Sequence, residues 1–409
     1  MFKSHTPLSA KGAIVALSAL MFFFSAQVSL TIYIDSSYVK EAIEQTPRFA
    51  LMQAWDNPEH MVGTLYTFAS LITLLALISA PKILRRFGNY RWTISALILH
   101  ILILLGLASF DGAGFVVPLF IIETALVSVL YFNLDVFLER YSSDAETGEI
   151  RGFFLVIGSI AWMLPPFFAG MIIDNFGFQL VYLVGAALMI PTVFVMMRYF
   201  SDFNDLGYDD VPVLMSKVDT AKHPDIGRIL WTSFSLQFFY AWMIIYAPIY
   251  FHDQLGISYE DFGLILTLAL SAFIIFPYPA GWLADKVLGE KELLVGGFLL
   301  MAGATALIPY FSHAGIGILA WAALLFVGRT GAATVETMAE AYFFKQIDGR
   351  NAGLMSYFRR SRPLAFMIAP IAATLLLEFR IVTTENLFYV LAVLMVLAAY
   401  FPLRLKDTL

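Results

Sequence analysis

Twelve apolar runs, each about the length of a membrane-spanning helix, constrain the fold of this chain more than any other feature. A helix that crosses a bilayer needs about 20 mostly apolar residues, because lipid offers no partner for the backbone N–H and C=O groups. Only 14% of the 409 residues are charged, whereas soluble domains carry roughly a quarter. The sequence predicts an all-α integral membrane protein, not an enzyme. The runs lie at roughly 12–34, 61–80, 92–110, 115–137, 153–173, 179–199, 229–250, 260–283, 292–311, 315–343, 363–379 and 386–403.

The sequence lacks the residues that disulfides, metal sites and nucleotide-binding loops require. The chain has no cysteine, which excludes disulfides and thiolate metal sites. His100 has no second histidine at ligand spacing, so we predict no metal site and interpret His100 as a packing residue. There is no G-x-x-x-x-G-K-[ST] loop, which argues against ATP as the direct energy source. We expect no cofactor and no nucleic-acid partner.

Basic residues favour one side of the predicted membrane. If the N-terminus is cytoplasmic, 21 of the 25 Lys and Arg residues fall in inside segments. The outside segments then hold only Lys40, Arg48 and Arg380, and Arg329 lies within a run. Cytoplasmic loops carry such an excess of positive charge. The sequence therefore predicts a multi-pass protein of the cell membrane with both termini in the cytoplasm.

The acidic, proline-containing segment 200–228 divides the runs six and six. We predict an N-terminal six-helix bundle over 1–200, a cytoplasmic linker over 201–228 and a C-terminal six-helix bundle over 229–409. The two halves share residues at an offset of 201, and an acid pair spaced i, i+4 closes both the fourth and the tenth run. Transporters use two such halves to place a site between them. The offset relates Gly88, Asp135, Glu139 and Gly152 to Gly289, Glu336, Glu340 and Gly353.

Two short charged segments carry a resemblance to a known family. The second reads Gly281-Trp282-Leu283-Ala284-Asp285-Lys286 and ends with Gly289 and Lys291. It resembles the loop between the second and third helices of each half in the major facilitator superfamily, roughly G-x-L-A-D-R/K-x-G-R/K, with one extra residue after Asp285. The first-half segment, 81–91, keeps the basic residues and Gly88 but has Arg85 where the family has Asp. Further resemblance lies in Glu149-Ile150-Arg151-Gly152 and in Gly170-x-x-x-Asp174-x-x-Gly177.

The resemblance implies two pseudo-symmetric bundles that work by alternating access, with helices one, four, seven and ten lining the cavity. It also implies a cytoplasmic contact between Asp285 and the start of helix five, near Arg151 and Gly152. Because Arg85 replaces the family's first-half acid, we expect the two halves to gate unequally.

Charged residues within the runs are the candidates for transport. A charge at mid-membrane costs about 2.5–3.5 kcal/mol on insertion scales, so it usually faces a cavity or a partner. Arg329, Glu336 and Glu340 share one face of predicted helix ten with small residues. Arg329 could hold an anionic group, or it could form a structural Arg–Glu pair. We also include Asp135, the first-half counterpart of Glu336.

Glu123, in predicted helix four, is the candidate proton-coupling acid. It lies beside a polar face that includes Ser128, and a partly desolvated carboxyl there would suit reversible protonation. The alternative is a structural Glu, hydrogen-bonded in its bundle or paired with Arg329. In predicted helix seven, Gln237 and Tyr240 form the candidate contact face, whereas helix packing is the alternative for these side chains.

Basic residues before predicted helix eleven suggest a cytoplasmic gate. Arg359 and Arg362 could pair with Glu336 and Glu340 when the cavity faces outward. Anchoring to lipid headgroups is the alternative. The adjacent prolines at 165 and 166 predict a kink in helix five. Residues 38–45, outside, look helical and either cap the outer mouth or extend helix one inertly.

These observations predict a monomeric secondary active transporter that moves a small organic solute, coupled to protons, with export marginally favoured. One alternative is a facilitator or importer of a polar or anionic solute held by Arg329. Another is a membrane receptor or assembly partner that uses a transporter fold without transporting.

Overall fold

All regular structure in the described residues of this computed structural model is helical; these are 10–46, 58–141, 157–201, 203, 224–346, 358 and 361–406. Helices satisfy every backbone hydrogen bond within one segment, as apolar surroundings require. The first half contains α1 (Ala10–Ile32), α2 (Asp35–Glu44), α3 (Pro58–Phe87), α4 (Asn89–Ser109), α5 (Ala113–Tyr141), α6 (Pro165–Phe176) and α7 (Phe178–Tyr199).

The second half follows the same plan but is more interrupted. Two π-helical turns, Tyr250–Gln254 and Ala284–Leu288, follow helices in this half. Its α-helices are α8 (Pro224–Ile249), α9 (Tyr259–Leu270), α10 (Ala272–Ile275), α11 (Pro277–Leu283), α12 (Gly289–Ser312), α13 (Ile318–Gln346), α14 (Ser361–Glu378), α15 (Leu387–Ala398) and α16 (Tyr400–Leu403).

The membrane-spanning character predicted from the apolar runs is confirmed for most of them. Within the described residues, ten helical stretches are long and apolar enough to cross a bilayer. One of them, Tyr259–Ser312, is 54 residues long, and Leu387–Leu403 is a shorter apolar helix. At about 1.5 Å per residue, 54 helical residues are long enough for two crossings.

Glycines at equivalent positions turn the chain in both halves. Gly88 and Gly289 have φ values of 78° and 77°, a region that L side chains rarely adopt. Gly88 precedes α4, and Gly289 begins α12. The predicted charged loop at 281–291 is therefore mostly helical, because a π-helical turn continues to Leu288 before Gly289 breaks the helix. The offset of 201 holds in the backbone at this pair.

Two local predictions are confirmed. Residues 38–44 are helical as part of α2, with Gln45 as its C-cap, and the helix packs into protein through buried residues such as Tyr38 and Ala42. A bend interrupts the helix at Leu164, and α6 begins at Pro165.

The two halves meet closely at the end of the bundle that carries α2 and the π-helical turn Tyr250–Gln254, which we call the outer end. A Cβ on Gly170 of α6 would lie 2.0 Å from the Tyr259 carbonyl oxygen of α9. One on Gly263 would lie 2.3 Å from the Pro166 carbonyl oxygen. Small residues allow such close helix approach. The carboxylate of Asp174 also accepts hydrogen bonds from the first backbone N–H groups of α9, at 3.3 and 2.7 Å.

Candidate functional site

A buried pair of carboxyl groups lies near the outer end of the first half. Asp35 begins α2 and is 6% exposed, and Glu123, in the interior of α5, is 5% exposed. Asp35 is the charged neighbour that acts most strongly on Glu123. The structure thus buries Glu123, as predicted, and adds a second acid that the sequence analysis did not single out.

Tyrosine hydroxyls surround this pair. The Tyr182 hydroxyl donates a hydrogen bond to Asp35 Oδ1 at 2.7 Å. Tyr66 and Tyr182 each have both carboxyls as electrostatic neighbours. Burial raises the pKa of Asp35, which lies beyond the first span, to about 7, and the hydrogen bond from Tyr182 opposes this shift. Asp35 therefore titrates close to neutral pH.

A second charged cluster, in the other half, is built around an arginine. Arg329 of α13 is 3% exposed. Its guanidinium carbon lies 5.8 Å from the ring centroid of Phe239 and 5.9 Å from that of Tyr240, both on α8. The Tyr240 hydroxyl donates to Glu336 Oε2 at 3.0 Å. The structure therefore brings together Arg329, Glu336 and Tyr240, three residues selected from helical spacing.

Arg329 does not pair with Glu123 in this structure. Within the described part of the chain, no carboxylate lies within 4.0 Å of the Arg329 guanidinium, and its contacts are with aromatic rings. A buried guanidinium that stacks on two rings retains N–H donors for a ligand.

Tyr33, just after α1, connects the cluster to the first half. It is 5% exposed, and its electrostatic neighbours are Arg329, Arg362 and Glu336. Arg362 also acts on Tyr131 of α5 and stacks over Phe366 at 5.6 Å. Arg329 and Arg362 of the second half therefore have tyrosines of the first half as electrostatic neighbours.

The remaining candidate residues lie on helices α4, α5 and α8. Gln237 and Asp135 are half-buried on α8 and α5. Ser128 donates within its own helix to the Thr124 carbonyl at 3.3 Å. His100 Nε2 lies 2.8 Å from Gln27 Oε1 in a fully buried contact, consistent with the predicted packing role.

Only some residues of the predicted cytoplasmic gate lie within the described part of the chain. Asp285 lies 3.7 Å from Lys345 of its own half, and Lys345 also contacts the buried Glu290. Arg151, Gly152, Gly353 and Arg359, and the side chain of Glu139, lie outside the described residues. Of the others, Gly281 is half-buried in α11, whereas Arg85, Lys286, Glu340 and Arg362 are exposed.

Sequence reasoning missed four residues: Asp35, Tyr33, Tyr66 and Tyr182. Asp35 could have been found as an acid directly after the first apolar run. The tyrosines gave no separate signal, because 19 tyrosines are spread through this chain.

Comparisons with known proteins agree with this architecture. The family model of the Major Facilitator Superfamily matches residues 229–408, which confirms the resemblance drawn from the sequence. One similar solved structure is an in meso crystal structure of the POT family transporter PepTSo. It has a TM-score of 0.73 and 12% identity, over 96% of this chain and 97% of that one.

Another similar structure is an auto-inhibited POT family peptide transporter, with a TM-score of 0.75 and 11% identity, over 97% of this chain and 98% of that one. At these identities the likeness shows the fold alone, which is shared with these two transporters. No protein with a curated function matches the sequence significantly.

Proposed function

We propose that this chain, which has the fold of the major facilitator superfamily, is a proton-coupled secondary active transporter for a small organic solute. The family match and the fold support a secondary transporter rather than an enzyme. The observation that carries the proposal is the separation of charge: a buried acid pair in one half and a buried arginine in the other. Such groups are rare inside membranes and usually mark ion or substrate pathways.

The solute site in this proposal lies between the halves, against Arg329, Tyr240, Glu336 and Tyr33. Aromatic rings at this site offer apolar contact area, while Arg329 and Glu336 offer one group of each sign. Gln237, Ser128 and Asp135 complete the proposed lining. The aromatic surroundings support export of an amphiphilic compound as the direction of transport.

Proton coupling in this proposal rests on Glu123. Its carboxyl is buried and forms no ion pair with a described residue. An uncompensated buried carboxyl favours its neutral form, and water that enters on opening favours ionisation. Alternating access would therefore move a proton together with the conformational change.

The topology in this proposal has twelve crossings, two six-helix bundles over 1–200 and 229–409, a linker over 201–228 and cytoplasmic termini. The protein acts as a monomer in the cell membrane. The 54-residue stretch Tyr259–Ser312 and the apolar Leu387–Leu403 support the twelve crossings. The one-sided basic residues of the sequence support the orientation.

The test uses purified protein in liposomes with an imposed pH gradient, screened against a panel of neutral, cationic and anionic solutes. We expect at least one solute to accumulate against its gradient, and Glu123→Gln to remove the dependence on pH. Thr124→Ser, on the same helix, is a matched control that should keep it. Gradient-driven transport that is unchanged in Glu123→Gln would contradict coupling through this residue.

Anion import is the second candidate, and the burial of Arg329 without a described carboxylate partner within 4.0 Å favours it. A guanidinium binds carboxylate or phosphate through paired N–H donors. In the same solute panel, a preference for anions that Arg329→Ala removes would favour import over export of neutral amphiphiles. Equal loss for all solutes would argue against it.

A further inference from the structure

A small polar chamber lies where the two halves meet at the outer end. A Cβ on Gly63 of α3 would lie 2.4 Å from Thr374 Oγ1 and 2.5 Å from the Tyr246 hydroxyl. Tyr66, about one turn further along α3, has Asp35, Glu123 and Tyr246 as electrostatic neighbours. Side chains from both halves therefore contribute to this buried polar group. We use the name chamber for the group formed by Asp35, Glu123, Tyr66, Tyr246 and Thr374.

Two hydroxyl groups of the chamber have no hydrogen-bond partner among the described residues. The Tyr66 residue is 4% exposed and Thr374 is 7% exposed, and neither side-chain oxygen is hydrogen-bonded. Buried polar groups are nearly always satisfied, so such hydroxyls point to a ligand or a change of state. Tyr66 lies beside the two carboxyls, so a proton that moves on to or off the pair would change what its hydroxyl can bind.

The acid pair lacks a compensating cation. Neither Asp35 nor Glu123 forms an ion pair with a described Lys or Arg. Two carboxyls that are buried without a cation cannot both ionise cheaply, because each charge would be left uncompensated. The titratable groups that have both carboxyls as electrostatic neighbours are Tyr66 of α3 and Tyr182 of α7, and Tyr246 of α8 and Tyr38 of α2 are in turn neighbours of these two tyrosines.

The helix that carries Asp35 also contacts the opposite half. Lys40 of α2 forms an ion pair with Asp253 in the π-helical turn after α8. Asp35 and Lys40 lie on the same short helix, so breaking this ion pair would release α2 from the opposite half.

We propose that Asp35 and Glu123 together form one proton-binding site, which is complete only while the outer end is closed. In the open state water reaches the chamber; a hydronium ion there gives its proton to a carboxylate, an O–H bond forms and the outer end closes. The reverse sequence breaks that O–H bond and returns the proton to water at the outer end. Asp35 is then a second coupling residue. This inference rests on the proposed role of Glu123 and adds the partner that sets its proton affinity.

The test measures the width of the outer end as a function of pH. Because the chain has no cysteine, Ser109→Cys and Ala314→Cys introduce two exposed labelling sites, one in each half. Spin labels at these sites report the distance by pulsed electron paramagnetic resonance in nanodiscs. We expect the distance to lengthen as the pH rises, and Asp35→Asn or Glu123→Gln to hold it short at every pH.

Two further variants sharpen this measurement. Glu41→Gln removes an exposed acid from the same helix as Asp35 and should keep the full pH response. Asp35→Glu keeps the carboxyl and should also retain the response, which separates chemistry from loss of folding.

The outcomes separate this inference from the proposed function. If Asp35→Asn keeps the pH response while Glu123→Gln loses it, Glu123 titrates alone and the paired site is overturned. If neither variant changes the response, the pair is overturned too. A response to Na⁺ at constant pH would show that the site binds a metal cation instead. Failure of the proposed coupling is detected separately, by pH-driven transport that persists in Glu123→Gln liposomes.

Discussion

The two charged clusters of this protein differ in how their charges are balanced. Asp35 and Glu123 lie together in the first half with hydroxyl groups around them and no described cation within 4.0 Å. In the second half, Glu336 has both Arg329 and Arg362 as electrostatic neighbours. The acid pair has no described cation to compensate it, whereas the cluster around Arg329 offers a solute one group of each sign. In the proposed function, the acid pair carries the proton and the cluster around Arg329 binds the solute.

Removing the arginine should have the largest effect. Arg329→Ala deletes the buried cation of its cluster and leaves Glu336 with one positive neighbour fewer. Loss of a hydrogen bond to a charged group costs about 1.5–3 kcal/mol, which is roughly tenfold to hundredfold in solute affinity. The measurement is binding of the best solute from the panel, by isothermal titration. Arg329→Lys, which keeps the charge but not the planar stacking, should lose less; equal affinity in all three proteins would contradict the assignment.

The acid pair should make stability depend on pH. Burial raises the pKa of Asp35 from 3.8 to about 7, so the folded state binds more protons than the unfolded state between these values. Stability is therefore greatest below this window and falls as the pH rises through it. Thermal unfolding in detergent, from about pH 4 to about pH 8, should show this fall. Asp35→Asn should flatten the slope, and a slope that persists in this variant would show that other groups cause it.

Matched tyrosine substitutions test the same contrast at a smaller scale. Tyr182→Phe and Tyr240→Phe each remove one hydrogen bond to a carboxyl, of 2.7 and 3.0 Å. Such a bond contributes about 0.5–1.5 kcal/mol when neutral and about 1.5–3 kcal/mol when charged. The destabilisation by Tyr182→Phe should therefore grow as the pH rises through neutrality. That by Tyr240→Phe should change less with pH, because Arg329 and Arg362 oppose the protonation of Glu336, and the same pH dependence for both would remove the distinction between the clusters.

The smallest effect is expected at the ion pair between Lys40 and Asp253. The Lys40 and Asp253 side chains are 15% and 32% exposed, and partly exposed pairs contribute about 0–1 kcal/mol. Lys40→Met should lengthen the spin-label distance at the outer end only slightly, and less at high salt than at low salt. An effect as large as that of pH would mean that this ion pair, rather than the acid pair, controls closure.

The sequence predicted the arginine cluster better than the acid pair. Arg329, Glu336 and Tyr240 lie inside long helices, where a periodicity of 3.6 residues places side chains on known faces. Asp35 falls just after an apolar run, where an exposed acid is ordinary. Its burial depends on α2 packing into the bundle, a tertiary event that local pattern does not encode. Tyr66 and Tyr182 became visible only as neighbours of the two carboxyls.

One position of the predicted two-half repeat is also visible in the structure. The offset of 201 between Gly88 and Gly289 is present in the backbone as matching positive φ angles. The charged residues near these glycines differ between the halves. Asp285, before Gly289, contacts Lys345 of its own half, whereas the segment before Gly88 has the basic Arg85. Glycine conformation follows from backbone sterics and is readable from sequence, whereas the choice of ion-pair partner depends on side chains far along the chain.

The close approach of Gly170 and Gly263 to the backbone of the opposite half sets how tightly the outer end can close. Carbonyl oxygens of the opposite half lie 2.0 and 2.3 Å from where a Cβ would be, so even a methyl group at either position would overlap the opposing backbone. Gly170→Ala or Gly263→Ala would therefore force the two backbones apart and keep the outer end from closing fully.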